Sequence, residues 1–211
     1  MEELNQIRNI YCVGRNYRAH AAELGNEVPS EPMLFGKPTH AICAMDGGEI
    51  ILPADKGEIH HEAELVIRMA RPYSPELSLD QLIDGIALGI DFTLRDLQSK
   101  LKSKGQPWLA AKGFLRSAPI SAFHPFPGED ALANAEFSLL VDDRLAQHGH
   151  VSDMIFPVRQ LIEYTSKHFG LGTGDILFTG TPEGVGPMAQ GDELQLLWGS
   201  ELWGKLRVNL G

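Results

Sequence analysis

The sequence predicts a sheet-dominated α+β fold with few helices, and three observations carry that reading. Its 22 glycines and 13 prolines are more than a helical bundle tolerates, because both residues interrupt helices and shape turns. Short apolar or alternating runs, bounded by turn residues, recur along the chain. Only three segments combine helical length with helical end signals. The 211 residues, 43% of them hydrophobic, suffice for one substantial core. No internal repeat, low-complexity tract or Ser/Gly-rich linker divides them, so one domain over residues 1–211 is expected.

Taken in order, residues 9–14 (Asn-Ile-Tyr-Cys-Val-Gly) read as a short buried strand. Residues 17–24 read as a short helix, stopped by Gly25-Asn26, which adopt left-handed conformations cheaply. Pro29, Pro32 and Pro38 make residues 27–46 loop and edge strand. Strands follow at 49–52 and 62–69. The apolar strand 86–90 leads into a second helix over 93–104, where Thr93 and Asp96 have the spacing of a capping box and Gly105-Gln106-Pro107 ends it. Residues 137–141 alternate, Asp142-Asp143 makes a turn, and 144–148 return. A third helix fits 157–169, with Ser152 and Asp153 before it, Pro157 in its first turn and Gly170 at its C-terminal cap. The tail closes as a hairpin, 193–198 and 201–208, around Gly199-Ser200.

Charge narrows the partners. A formal net charge of -10 repels phosphate backbones and anionic lipid headgroups, so neither nucleic acid nor a membrane surface is expected. A small anionic substrate would need local cations. The start, Met1-Glu2-Glu3-Leu4-Asn5-Gln6, has no basic stretch followed by an apolar run, and no segment approaches membrane-spanning length. Cys12 and Cys43 then read as reduced thiols, and the cytoplasm is the expected location.

Several residues carry chemistry. In His60-His61-Glu62-Ala63-Glu64, Glu62 and Glu64 share a strand face about 7 Å apart and can lean onto one hard cation. On pattern alone such a pair marks a solvated face; the apolar run Leu65-Val66-Ile67 argues for burial, where carboxylates need a counter-charge. A zinc-protease helix is excluded, because the position four residues after His61 is Leu65. All-oxygen donors suit Mg2+ or Mn2+. Asp91 ends an apolar strand, and Arg95 and Gln98 follow at i+4 and i+7, lining one side of the strand-to-helix junction. The plainer alternative has Asp91 capping the helix with Arg95 paired to it. His20 and Glu23, at i and i+3, can form a dyad in which the carboxylate raises the basicity of the imidazole, although such pairs are common on exposed helices. Lys112, alone in a small apolar stretch, either reaches outwards or serves a buried anion. Residues 179–187 (Thr-Gly-Thr-Pro-Glu-Gly-Val-Gly-Pro) offer hydroxyls and backbone N–H groups at a turn suited to a carboxylate, or make a plain turn. No phosphate-binding loop or dinucleotide fingerprint is present, so a nucleotide cofactor is not expected.

The order of these pieces resembles one family. Gly14-Arg15-Asn16-Tyr17, His20-x-x-Glu23, Phe35-Gly36-Lys37-Pro38, His60-His61-Glu62-Ala63-Glu64, Asp91-x-x-x-Arg95-Asp96-x-Gln98, Ala111-Lys112 and the 179–186 turn are similar to the fumarylacetoacetate hydrolase family, in particular its short members with acylpyruvase activity. The resemblance runs from about Ile10 to the C-terminus. It implies a mixed β-roll with few helices, usually a homodimer, with the first 45 or so residues carrying a lid.

It also implies roles. Glu62, Glu64 and Asp91 would bind Mg2+ or Mn2+, His20 and Glu23 would activate water on the closing segment, and Lys112, Arg95, Gln98 and Thr181 would hold the carboxylate and oxo groups of a small anionic 2-oxo acid. The expected reaction is hydrolysis of an acylpyruvate to pyruvate and a carboxylic acid. Oxaloacetate decarboxylation through the same enolate is the alternative, alongside tautomerisation or decarboxylation of larger 2-oxo acids in aromatic breakdown. A noncatalytic ligand-binding module with structural Ca2+ is the alternative of another class. Arg15, Arg18 and Arg116 are candidates for reading the distal group of the substrate. One departure is visible: after Lys112 many relatives carry a Cys-Pro step, where this chain has Ala118-Pro119.

Overall fold

The apolar run Leu65-Val66-Ile67 lies at the centre of the molecule because both faces of its strand are covered: Leu65 and Ile67 join one core, Val66 the other, and all three are fully buried. The structure, a computed structural model, describes residues 3–23, 25 and 28–211. Its strands, in chain order, are β1 (Ile10–Gly14), β2 (Met33–Lys37), β3 (Ile42–Ala44), β4 (Asp46–Leu52), β5 (Ile59–His61), β6 (Ala63–Met69), β7 (Ile83–Ile90) and β8 (Thr93–Leu94). There follow β9 (Ala118–Ile120), β10 (His124–Pro125), β11 (Glu136–Val141), β12 (Arg144–His150), β13 (Ile176–Phe178), β14 (Gly186–Pro187), β15 (Glu193–Trp198) and β16 (Glu201–Leu210). Among the described residues six α-helices punctuate them: α1 (Arg18–Glu23), α2 (Leu79–Leu82), α3 (Arg95–Ser103), α4 (Leu109–Lys112), α5 (Glu129–Ala133) and α6 (Val158–Phe169).

An eight-stranded mixed sheet runs in the order β2-β1-β13-β6-β7-β9-β3, with β10 also paired to β7. A five-stranded sheet runs β12-β11-β15-β16-β4, and a small third sheet β14-β5-β8. The first two share the larger core, in which Leu65, Ile67 and Leu88 meet Phe137, Leu139, Leu194 and Leu196. Burying each such side chain contributes about 1.5–3 kcal/mol. The smaller core, built on Val66, Ala87, Ile120 and Phe178, covers the opposite face of the eight-stranded sheet. The sheet-dominated α+β architecture is therefore as predicted.

Most predicted elements are present. The Pro-rich segment contains edge strand β2, and α6 starts after Pro157 and ends at Gly170, whose φ is 77°. The Asp142-Asp143 turn has φ values of 51° and 61°, the left-handed pair that two-residue hairpins require. The predicted helix over 17–24 is α1; Leu24 and Asn26 lie outside the described residues. The capping box at Thr93 is corrected. Thr93 belongs to β8, α3 begins at Arg95, and Asp96 accepts a hydrogen bond from the backbone N–H of Glu58 at 3.0 Å rather than closing a helical turn. Among the described residues no helix is long and apolar enough to cross a membrane.

Candidate active site and metal centre

The small sheet explains where the site lies. Its strands continue strands of the large sheet after an interruption: β5 leads into β6 across Glu62, β7 into β8 across Asp91-Phe92, and β13 into β14 across the 179–185 turn. Three neighbouring strands thus break side by side, and each break delivers a candidate residue: Glu62, Asp91 and Thr181. Backbone bonds hold the breaks in register, Asp91 N–H to Glu62 O at 2.8 Å and Thr179 N–H to Leu65 O at 3.0 Å. Glu62 therefore sits in a break rather than within the predicted strand.

Glu62, Glu64 and Asp91 are buried, and each offers an oxygen within 4.8 Å of the others. A solvated face is excluded. Three cations meet them. Lys112 Nζ is 2.6 Å from Glu62 Oε2, 2.6 Å from Asp91 Oδ2 and 2.6 Å from Thr93 Oγ1, so it serves buried anions instead of reaching outwards. Arg95 Nη2 donates to Glu62 Oε1 at 2.6 Å and Nη1 to Gln98 Oε1 at 2.7 Å; it pairs with Glu62, not with Asp91. The third cation is Lys37, whose Nζ lies 2.7 Å from Asp91 Oδ1 and bonds to the carbonyls of Ser117 (3.0 Å) and Lys112. Sequence reasoning quoted Lys37 without giving it a role; a single charge beside Pro38 in an otherwise apolar edge strand was the available signal.

The electrostatics separate the two glutamates. Burial would raise Glu62, but Lys112 and Arg95 more than offset it and hold its carboxyl far below the usual range. Among the described residues Glu64 has no lysine or arginine bonded to it and accepts one hydrogen bond, from Gly180 N–H at 2.7 Å. Burial, reinforced by the charges of Asp91 and Glu62, pushes Glu64 well above the usual range. A carboxylate so placed, and a buried Asp91 Oδ1 that meets Lys37 without hydrogen-bond alignment, are what a hard divalent cation would satisfy. The all-oxygen donor set fits such an ion. Gly180 is required here: its φ is 101°, and a Cβ would lie 2.6 Å from that of Asn16.

Asn16 fastens the other side. Its amide donates to Thr179 O (2.8 Å) and Phe156 O (3.1 Å) and accepts from Phe156 N–H (2.8 Å), tying the entry to α1 onto the 179–181 turn. On α1, His20 is buried, and its Nδ1 lies 3.3 Å from Glu23 Oε2; Glu23 Oε1 accepts from Gly184 N–H at 3.2 Å. The dyad is thus linked to the turn, not a free surface pair. Gln147 is a residue that sequence reasoning missed. From β12 its Oε1 accepts from Ala63 N–H (2.9 Å) and lies 3.0 Å from His61 Nδ1, while its Nε2 donates to Thr181 Oγ1 (2.8 Å) and Pro182 O (3.0 Å). Two strand breaks are held by one amide.

These groups line a partly open cleft of about 450 Å³ including its mouth. Val13, Met33, Phe35 and Trp108 form its apolar wall. Of the three arginines proposed to read a distal group, only Arg15 lines it; Lys102, not foreseen, joins Arg15. Arg15 has a φ of 58°. The pKa of Lys102 is lowered by partial burial and then by the nearby charges of Arg15 and Arg95, so the mouth has an excess of positive charge. Arg95 Nε is buried without a hydrogen-bond partner among the described residues. Beside the cluster, Ser117 Oγ donates to Lys112 O at 2.7 Å, and Ala118, where the departure from the resembled pattern lies, packs fully buried in β9. Cys12 and Cys43 are free thiols, and burial pushes Cys43 up to about 11.

Comparison with known proteins adds four findings. Residues 9–207 match the family model described as fumarylacetoacetate (FAA) hydrolase C-terminal. The chain is 42% identical over 193 residues to oxaloacetate tautomerase YcgM of Escherichia coli, covering 89% of this chain and 87% of that protein. It is 42% identical over 191 residues to a mitochondrial oxaloacetate decarboxylase of Dictyostelium discoideum, with 89% and 87% covered. Among solved structures, it superimposes with a TM-score of 0.88 on fumarylpyruvate hydrolase from Pseudomonas aeruginosa in complex with Mn2+ and pyruvate, at 36% identity and covering 97% of this chain and 91% of that one.

Proposed function

The chain belongs to the fumarylacetoacetate hydrolase family, and from that premise we propose that it is a divalent-metal-dependent enzyme of oxaloacetate, interconverting its keto and enol forms and decarboxylating it through the same enolate. One observation carries the choice of substrate. The cleft pairs a near-neutral cluster, three carboxylates against Lys37, Lys112 and Arg95, with two further cations, Arg15 and Lys102, at its mouth. A dicarboxylate would offer its second charge to the cations at the mouth; an acylpyruvate with an apolar tail would leave them unpaired. The tautomerase and decarboxylase names of the relatives support the same substrate. The hydrolysis expected first from the sequence becomes the second reading.

Bound Mg2+ or Mn2+, held by Glu62, Glu64 and Asp91, would supply Lewis-acid polarisation of the 2-oxo group. Arg95, through its unpaired Nε, and Gln98 hold the carboxylate next to that group, with Thr181 closing over it. His20, kept by Glu23 with its proton on Nδ1, takes a proton from C3 at Nε2. The electron pair moves onto the 2-oxo oxygen, where the Lys112 ammonium stabilises it, and a proton returned to that oxygen gives the enol. Loss of the distal carboxylate as CO2 leaves the electron pair in the same place, and protonation at C3 gives pyruvate. Helix α1 acts as the lid of a single catalytic unit, closed by the Glu23–Gly184 contact, in a homodimer whose mass light scattering would report.

Hydrolysis is the second reading because the fumarylpyruvate hydrolase neighbour supports it and the same His20–Glu23 pair can deprotonate water instead of C3. The deciding experiment follows ultraviolet absorbance of oxaloacetate, fumarylpyruvate and acetylpyruvate with chelator-treated protein, before and after Mg2+ or Mn2+ is restored. Metal-dependent turnover of oxaloacetate, with acetylpyruvate far slower, is expected. Faster cleavage of acetylpyruvate would give the site to hydrolysis, and absence of turnover on all three would leave a noncatalytic metal-stabilised module.

A further inference from the structure

A second cluster of metal-ligating side chains stands apart from the cleft, on the outer strands of the five-stranded sheet. Glu136 and Ser138 on β11 face His150 and His148 on β12 as direct cross-strand partners. Residues two apart on a strand share a face, so all four side chains project together. His148 Nε2 is 3.3 Å from His150 Nε2 and 3.5 Å from Glu136 Oε2, and His150 Nε2 is 3.8 Å from that same oxygen. Ligands bound to zinc at its usual bond lengths of about 2.0–2.1 Å, tetrahedrally arranged, lie roughly 3.3–3.4 Å from one another. The three atoms are already spaced as the edges of such a site.

The remaining ring nitrogen completes the pattern. His148 Nδ1 is 2.9 Å from Ser138 Oγ, so its proton has a partner and Nε2 keeps its lone pair for a metal, the outer arrangement that orients liganding histidines. Two facing imidazole nitrogens share at most one proton between them, whereas a cation takes both lone pairs. At 40 and 48% exposure the two histidines are open to an ion from solvent. Imidazole donors select against Mg2+ and Ca2+ and suit zinc, which separates this cluster chemically from the all-oxygen centre.

We propose that Glu136, His148 and His150 form a zinc site with one open coordination position, independent of the catalytic cation. The occupied site pins β11 to β12 on their outer face. Gln147 leaves the inner face of the same strand to hold both strand breaks, so zinc would stiffen the strand behind the cleft.

The test titrates Zn2+ into the whole, chelator-treated protein by calorimetry, with excess Mg2+ present for the buried centre. Wild type should take up one equivalent that the double variant His148→Ala/His150→Ala lacks, and Co2+ in its place should give the strong visible absorption of a tetrahedral ion. Glu136→Gln should weaken the same event. All three positions are exposed, so the variants should keep the wild-type unfolding temperature without metal; a variant that does not is replaced by His150→Gln. Equal zinc uptake by wild type and the double variant, or an octahedral Co2+ spectrum, would overturn the proposal, whatever the outcome of the oxaloacetate assay.

Discussion

The eight-stranded and five-stranded sheets share a core but differ in how their strands are brought together. In the five-stranded sheet, β11–β12 and β15–β16 are hairpins between neighbours in sequence, joined to each other by the long-range β11–β15 pairing and bordered by β4. In the eight-stranded sheet, β1 lies beside β13 and β13 beside β6, strands separated by half of the chain or more. The candidate cleft is built almost wholly on the second kind. The long-range pairing of β13 and β14 with β6 and β5 lets a remote segment break at the same level as the neighbouring β5–β6 and β7–β8 strands, which brings buried carboxylates and lysines together. The hairpin sheet backs this arrangement and sends one side chain into it, Gln147.

Substitutions can break or sharpen that contrast. The largest effect is expected for Asp91→Ala, which removes a candidate metal ligand and the counter-charge of Lys37 and Lys112. Turnover of oxaloacetate should fall by about 10³-fold or more, and urea unfolding should register a loss of about 3–5 kcal/mol, the cost of stranding buried charge. A variant that keeps a tenth of the wild-type rate would show that the breaks are not where the chemistry happens. Lys37→Met leaves Asp91 one partner short; about 3 kcal/mol of stability should go, with a smaller change in metal affinity measured by calorimetry.

Gln147→Leu asks how far the hairpin sheet matters. Four hydrogen bonds are lost and buried groups of Ala63 and Thr181 are left unpaired, so about 1–3 kcal/mol is expected, together with roughly a tenfold drop in kcat/KM. No change in either would make the two sheets functionally separate.

The next effect depends on pH. The folded-state pKa of Glu64 is raised, so the metal-free fold holds a proton that the unfolded chain releases, and stability falls as pH rises from about 4.3 through the raised value. Glu62 is shifted down, so its contribution is fully present above about 4.3 and is flat over that window. Thermal unfolding of chelator-treated protein should therefore weaken with pH by up to about 1.4 kcal/mol per unit, and Glu64→Gln or added Mg2+ should remove that part of the slope. The smallest effect belongs to the hairpin tip: Asp143→Gly relieves a φ of 61° but loses an exposed bond to Gln195, so stability should stay within about 0.5 kcal/mol and turnover should not change.

The same contrast governs what could be read from the sequence. The hairpins at 137–148 and 193–208 were legible because a two-residue period and a local turn specify them, and α6 was legible through Pro157 and Gly170. Glu62, Glu64 and Asp91 stood out because charge next to buried apolar strand is costly. What failed was local reading of non-local facts. Thr93 and Asp96 have capping-box spacing, yet their partners are Lys112 and Glu58, which no window around position 93 contains. Lys37, Ser117, Asn16 and Gln147 bond across long stretches of chain, so their importance is a property of strand order and not of neighbouring residues. The proposed preference for a diacid draws, with Arg15, on Lys102, an ordinary helix-surface lysine until the cleft is seen beside it.

Arg15 is held at a positive φ, a conformation that costs a side-chain-bearing residue on the order of 1 kcal/mol and glycine far less. A library sorted only for heat tolerance would therefore enrich Arg15→Gly and, if the mouth of the cleft reads a second carboxylate, would quietly discard the ability to tell a diacid from a monoacid. At this position durability and discrimination are selected in opposite directions, so an engineer should score both.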